Sequence, residues 1–399
     1  MEIRDFALKA EDDIELQLRR NILLAHQHLG DEYREKAAAC HQLLHQTLQE
    51  AAKNATELLD FDYYVLFGTN IPRSVFFFLE NPEMFVPPKL LRVLAFDTSI
   101  SLQRVPVQLG GLVFLRYLSI TQWFEDLGDV VSINLNLETL VVSGNGTPTV
   151  YLPSSIWMPP YLRHLELGNS YMVDPPSADK KNLQTLSWVV RPIHCREKVY
   201  NKFPNIKKLK ILVKDDIEPS HVGGCCSNPI ILDNFDCLVG LEKLSVSVSI
   251  GCNAAIPEQC MYPSGLKKLK LSGTNISVRD LNVIAMLPKL MVLKLENAFR
   301  GTVWYVEALG GFPQLIFLLL EAKDLKRFWG NFPKLRHLVL RSCNCLEEMP
   351  MNLPFFNLES IALEGCHSSL VVSAKQLQQN RIFKNLEASK DMINFLNQT

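Results

Sequence analysis

Three stretches of the chain read almost as one phrase: Leu162-Arg-His-Leu165-Glu-Leu167, Leu266-Lys-Lys-Leu269-Lys-Leu271 and Leu335-Arg-His-Leu338-Val-Leu340. Apolar residues at the first, fourth and sixth places recur in windows that begin at Leu91, Leu115, Leu137, Leu162, Leu183, Ile206, Leu241, Leu266, Leu290, Leu315, Leu335 and Leu358. The starts lie about 24 residues apart, with one longer step between Ile206 and Leu241. A weaker window, Pro72, Val75 and Phe77, stands ahead of them. Chance produces one such window, but not a series at nearly constant period. Side chains alternate across a strand, so the fourth and sixth places share one face, and that face is apolar in every copy.

A single short strand cannot bury such a face. Copies stacked edge to edge can, and their stability is then a sum over neighbours. This is the pattern of a leucine-rich repeat. The expected fold is an α/β solenoid over residues 91–366, with a curved parallel sheet and an irregular or helical convex side. Such an array grows in one dimension, so 399 residues need no second core. Leu152-Pro-Ser-Ser-Ile156, Val105-Pro-Val-Gln-Leu109 and Met349-Pro-Met-Asn-Leu353 each precede a strand, where proline turns the chain toward the convex side. Cys343 and Cys366 fall three places after the last leucine of their windows, where this repeat class satisfies turn backbone with Asn or Cys.

Residues 1–60 keep another rhythm. Ile3, Phe6, Ala10, Ile14, Leu18 and Ile22 recur at helical spacing, and after Gly30 a second series from Tyr33 to Leu58 alternates steps of four and three. These predict a helical hairpin that needs a further surface to cover its stripe. Within it Glu11, Asp12, Asp13 and Glu15 form an acidic cluster, read from composition as a solvated helix face. Residues 61–90 read as a junction and apolar cap or first strand, and 367–399 as a polar, mostly helical C-terminal cap. The Gly- and Pro-bearing stretch Asp215 to Asp236 reads as a loop, either a plain surface excursion or an insertion at a binding edge.

The formal net charge of −1 points to no particular partner class. Apolar runs such as Val75 to Leu79 are too short to span a bilayer, and the charged start lacks the order of a secretory signal, which predicts an intracellular protein. The ten cysteines are then expected to be reduced thiols, and neither Cys225-Cys226 nor Cys343-Asn-Cys345 has the spacing of a zinc site. No glycine is followed by lysine, which excludes a phosphate-binding loop, and His41-Gln-Leu-Leu-His45 lacks the glutamate of a zinc hydrolase. His164 and His337 occupy equivalent strand places, as in a surface ladder. No catalytic constellation assembles from spacing, so neither enzyme activity nor a cofactor or metal is expected.

The third and fifth places face away from the core. They carry Lys208, Lys210, Lys243, Lys268, Lys270 and Lys294, followed by Phe317 and Leu319. Lysines there serve solubility, or they form a patch on the concave face that binds an acidic protein surface with the apolar pair as anchor. Nucleic acid fits less well, because no aromatic series is interleaved with the lysines.

The stretch Ile3-Arg-Asp-Phe-Ala-Leu-Lys-Ala-Glu-Asp-Asp-Ile14-Glu resembles the "EDVID" helix of plant intracellular immune receptors of the coiled-coil, nucleotide-binding, leucine-rich-repeat type. Ile71-Pro-Arg-Ser-Val-Phe-Phe-Phe78, Leu90-Leu-Arg-Val-Leu-Ala-Phe96 and Leu152-Pro-Ser-Ser-Ile156 followed by Leu162-Arg-His-Leu165 are similar to that family's repeat domain, most closely its late-blight resistance group. The resemblance implies a receptor that detects a pathogen effector, directly or through a guarded host protein, and triggers defence and local cell death in the cytoplasm or at the membrane periphery. It further implies that Glu11, Asp12, Asp13 and Glu15 dock on Arg92, Arg116 and Arg163, each directly after the first leucine of its window. The chain departs from the family near Leu59 to Asp62, where helices run into repeats without the nucleotide-binding switch. This leaves open a truncated product, an alternative transcript, or a regulator that joins complete receptors. A general repeat scaffold without an immune role is the alternative.

Overall fold

The computed structural model describes residues 74–77, 92–96, 112–125, 127–144, 149–214, 230–252, 254–257, 260–305, 311–349, 357–379 and 385–388. The helical hairpin expected over 1–60, its acidic residues, most of the junction and the loop core at 215–229 lie outside the described residues. The chain divides into two units, residues 1–75 with 87–93, and residues 76–86 with 94–399. The repeats belong to the second.

In that unit twelve strands run in chain order: β1 Tyr117–Ile120, β2 Thr139–Val142, β3 His164–Leu167, β4 Thr185–Val189, β5 Lys208–Val213, β6 Lys243–Val248, β7 Lys268–Ser272, β8 Val292–Glu296, β9 Phe317–Glu321, β10 His337–Arg341, β11 Ser360–Glu364 and β12 Asn385–Ala388. Each pairs in parallel with the next, and equivalent places of successive windows meet: Leu244 stands opposite Leu209 and Leu269, and Leu293 opposite Leu269 and Leu318. The leucine-rich-repeat solenoid is therefore the fold. The inward leucines from Leu209 to Leu338 are at most 2 % exposed.

Two backbone devices hold the period. The N–H groups of a window's second and third residues both donate to the carbonyl of the preceding window's second residue, as Lys267 and Lys268 do to Glu242 at 2.8 and 3.0 Å. An asparagine before the first apolar place then donates its amide to a carbonyl one repeat back: Asn136 to Val113, Asn182 to Pro160, Asn205 to Lys181 and Asn357 to Pro333. The buried Cys343 and Cys366 thiols point at the Leu320 and Leu340 carbonyls, 3.6 and 3.3 Å away, in the turn role their spacing predicts.

The convex side is built from pieces too short to repeat. Parallel strand pairs link Val150–Leu152 with Tyr171–Val173 and Val303–Tyr305 with Arg327–Trp329. Helices Leu127–Ile133, Val278–Ala285 and Ser368–Gln379 occupy other repeats. Val278–Ala285 starts on a reciprocal cap: the Ser277 hydroxyl accepts from the Asp280 N–H, and the Asp280 carboxylate accepts from the Ser277 N–H. Beneath these pieces aromatic rings fill the width that leucines leave, with Trp188 edge-on to Phe203 and Trp304 among Phe312, Phe328 and Phe332. The C-terminal segment differs from the expected mostly helical cap: helix Ser368–Gln379 is followed by β12, which extends the sheet along β11. Its Leu386 stands opposite Ile361, the apolar register that also runs through the other repeats.

Candidate functional site

The open face carries three rows of side chains. The third-place row runs Tyr117, Thr139, His164, Thr185, Lys208, Lys243, Lys268, Val292, Phe317, His337 and Ser360, each the Cα partner of the next. The fifth-place row runs Glu166, Ser187, Lys210, Ser245, Lys270, Lys294, Leu319 and Val339. A seventh-place row places Glu296, Glu321, Arg341 and Glu364 side by side. The alternation predicted for Lys208, Lys210, Lys243, Lys268, Lys270 and Lys294 thus brings all six onto one surface spanning β5 to β8.

These lysines are not equivalent. Lys208 pairs with Glu166 at 3.2 Å, and Lys270 with Glu296 at 2.7 Å. Among the described residues, no carboxylate pairs with Lys243 or Lys268. Burial pushes the Lys243 ammonium below its ordinary pKa, and the neighbouring charges of Lys268 and Lys208 push it further. Lys210 is lowered by burial and Lys294 by burial and then Lys270. Crowded, partly dehydrated ammonium groups gain from a partner that brings negative charge.

The apolar anchor differs from expectation. Phe317 is half-buried beneath the Lys294 ammonium, which lies 5.5 Å from the ring centroid. Leu319 is only 5 % exposed, so the pair is not an open hydrophobic patch. Its neighbours in register on the two flanking strands are Lys294 and Val339.

Toward the first strands the open face is internally satisfied. His164 Nδ1 lies 3.0 Å from the Thr185 hydroxyl, and the Ser187 hydroxyl donates to the Leu167 carbonyl at 3.1 Å. His337 Nδ1 repeats the contact with the Ser360 hydroxyl at 2.9 Å. The two histidines are thus ladder residues, and burial lowers the pKa of His164.

Arg116 and Arg163 lie at the strand-start edge and share one carboxylate, Glu138, at 3.6 and 4.0 Å. Both keep about half of their side-chain surface in solvent (50 % and 55 %). Arg92 is half-buried and belongs to the other unit. Spacing gave no sight of Glu138 as their neighbour, nor of Glu166 and Glu296 as counter-charges. Glu166 could have been found by reading the fifth place of every window, and Glu296 by extending the window to a seventh place. Among the described residues no group of His, Cys, Asp or Glu could hold a metal ion, and no helix is long and apolar enough to cross a membrane.

A family model described as a leucine-rich repeat region matches residues 72–349. Two curated proteins of Solanum demissum, both late blight resistance protein homologs, are 32 % and 31 % identical over 315 and 308 residues, 74 % of this chain in both cases. The chain spans about a quarter of the length of these relatives, 22 % and 23 %. Among solved structures, the leucine-rich repeat ectodomain of a plant membrane receptor kinase from Arabidopsis thaliana, in complex with Casparian strip integrity factor 2, aligns with a TM-score of 0.33 at 16 % identity, covering 75 % of this chain and 48 % of that one.

Proposed function

We propose, starting from a chain that belongs to the leucine-rich repeat family and is similar to late blight resistance homologs, that its open face is a recognition surface in plant defence. Its target is an acidic patch on a pathogen effector or on a guarded host protein. The observation that carries this reading is the pair Lys243 and Lys268, adjacent in register and without a paired carboxylate among the described residues. Lys208, Lys210, Lys270 and Lys294 extend the patch, while Glu166 and Glu296 mark its borders. Partly desolvated charges of one sign favour fast, oriented encounter with the opposite sign. The chemistry is binding, and complete receptors of the same family are a second class of partner through which it would act in signalling.

Replacing Lys208, Lys243 and Lys268 together by glutamate reverses the row. Co-purification of the full chain with its partner from infected leaf tissue is expected to be abolished in this variant, and unchanged co-purification overturns the assignment. Expression beside a complete relative supplies the second readout: altered cell death supports the defence role, while no effect together with stable capture of unrelated signalling proteins favours a general scaffold.

A further inference from the structure

A second basic site lies on the strand-start edge of β3 to β5, away from the open face. Arg163, Lys181, Asn182, Gln184, Pro204, Asn205, Lys207, Val239 and Gly240 enclose an open cleft of about 500 Å³. Arg163, Gln184 and Lys207 are the second-place residues of three successive windows, and Lys181 stands in the turn between them. Among the described residues no carboxylate lines the cleft. Of the acids on either side, Glu138 is shared between Arg116 at 3.6 Å and the cleft's own Arg163 at the longer 4.0 Å, and Glu242 pairs with Lys267 at 3.1 Å. The amide N–H groups of Asn182 and Asn205 are spent on backbone carbonyls, which fixes their side chains in the wall. Among the described lining residues only Pro204 and Val239 supply hydrophobic side chains, so the cleft suits a small, strongly polar molecule.

We propose that this cleft binds a small ligand carrying two or more linked phosphate groups. The spacing sets the number. Second-place residues of neighbouring strands are about 4.8 Å apart, so Arg163 and Lys207 are separated at the backbone by roughly 10 Å. One tetrahedral anion satisfies a single cation at that separation, whereas a di- or triphosphate carries charge over a comparable length. Arg163 offers a planar donor fork to one phosphate, and Lys181 and Lys207 meet the next as point charges. The volume is within the range of small-molecule sites.

The test is calorimetric titration of the full chain with sodium tripolyphosphate at low salt, beside the variants Lys181→Ala/Lys207→Ala and Lys323→Ala/Lys326→Ala, the second pair exposed and outside both the cleft and the open-face lysine patch. A saturable binding site is expected that the first variant weakens about tenfold or more and the second changes less than about twofold. Both pairs lie on the surface, so truncation leaves the fold intact. Absence of saturable binding overturns the proposal, as does an equal loss in both variants, which would mark a bulk charge effect. Penta-glutamate binding as tightly as tripolyphosphate also overturns it, because the cleft would then recognise charge and not phosphate.

Discussion

On one side of β5 to β9 stand Leu209, Leu244, Leu269, Leu293 and Leu318, all at most 2 % exposed. On the other side, one residue earlier in each strand, stand Lys208, Lys243, Lys268, Val292 and Phe317. The inward row is uniform because each leucine fills the same space against the same neighbours. The outward row shares that register but has no common space to fill, so its chemistry is free to vary from repeat to repeat. The proposed recognition surface lies on the row that the fold leaves open.

The comparison breaks if the two rows carry similar stability. Leu269→Ala removes a side chain packed between Leu244 and Leu293 and is expected to cost about 2–5 kcal/mol. Lys268→Ala, one residue away and exposed, should stay within about 0.5 kcal/mol of wild type. Urea unfolding of both variants measures the difference. Equal losses would mean that the outward row is structural and would remove the ground for reading it as a binding surface.

Lys210 sharpens the comparison, since it stands on the outward row yet is partly buried. Burial lowers its pKa in the folded chain from the ordinary 10.5, with Glu166 opposing and Lys208 and Lys270 adding to the shift. Between the folded and unfolded values the unfolded chain holds more protons, so stability rises with pH through that window and the full penalty is present at neutral pH. Lys210→Met should therefore be more stable than wild type at pH 7 and should lose the alkaline part of the stability gain. Unfolding midpoints measured from pH 7 to 10.5 report both effects, and a variant less stable at pH 7 would contradict the assignment.

The strands were legible because one period governs them: apolar places in register mean that a window found in one repeat predicts the others. The lysine rows were legible for the same reason. What escaped was set by neighbours in space. Glu138 and Glu296 lie one window away from the cations they meet, and the burial of Leu319 is set between strands of two other repeats. The asparagines before the first apolar place were visible as a recurring residue, but their donor role depends on a carbonyl one repeat back. On the convex side the repeats share no period. Helix Val278–Ala285 announces itself through the Ser277 and Asp280 cap, whereas strand Val303–Tyr305 exists only because Arg327–Trp329 pairs with it. The cleft at Lys181 and Lys207 brings together residues of three windows and the turns between them, and no single stretch of sequence displays it.

The smallest expected effect lies in the seventh-place row, where the outward face is not wholly indifferent to its own composition. Arg341 Nε donates to Glu364 at 2.6 Å, with the two side chains 38 % and 45 % exposed. That hydrogen bond is the main cause of the raised pKa of Arg341. A double-mutant cycle on Arg341→Ala and Glu364→Ala should give a coupling of about 0.2–1 kcal/mol, reduced in high salt. The single variants should differ: without Arg341, the row Glu296, Glu321 and Glu364 loses its central cation, whereas without Glu364 the arginine keeps Glu321 beside it. Arg341→Ala is therefore expected to be the more destabilising single change, by a few tenths of a kcal/mol. If the two single changes cost the same, the row is a set of independent solvated charges, and the boundary it draws beside the lysines is compositional and not electrostatic.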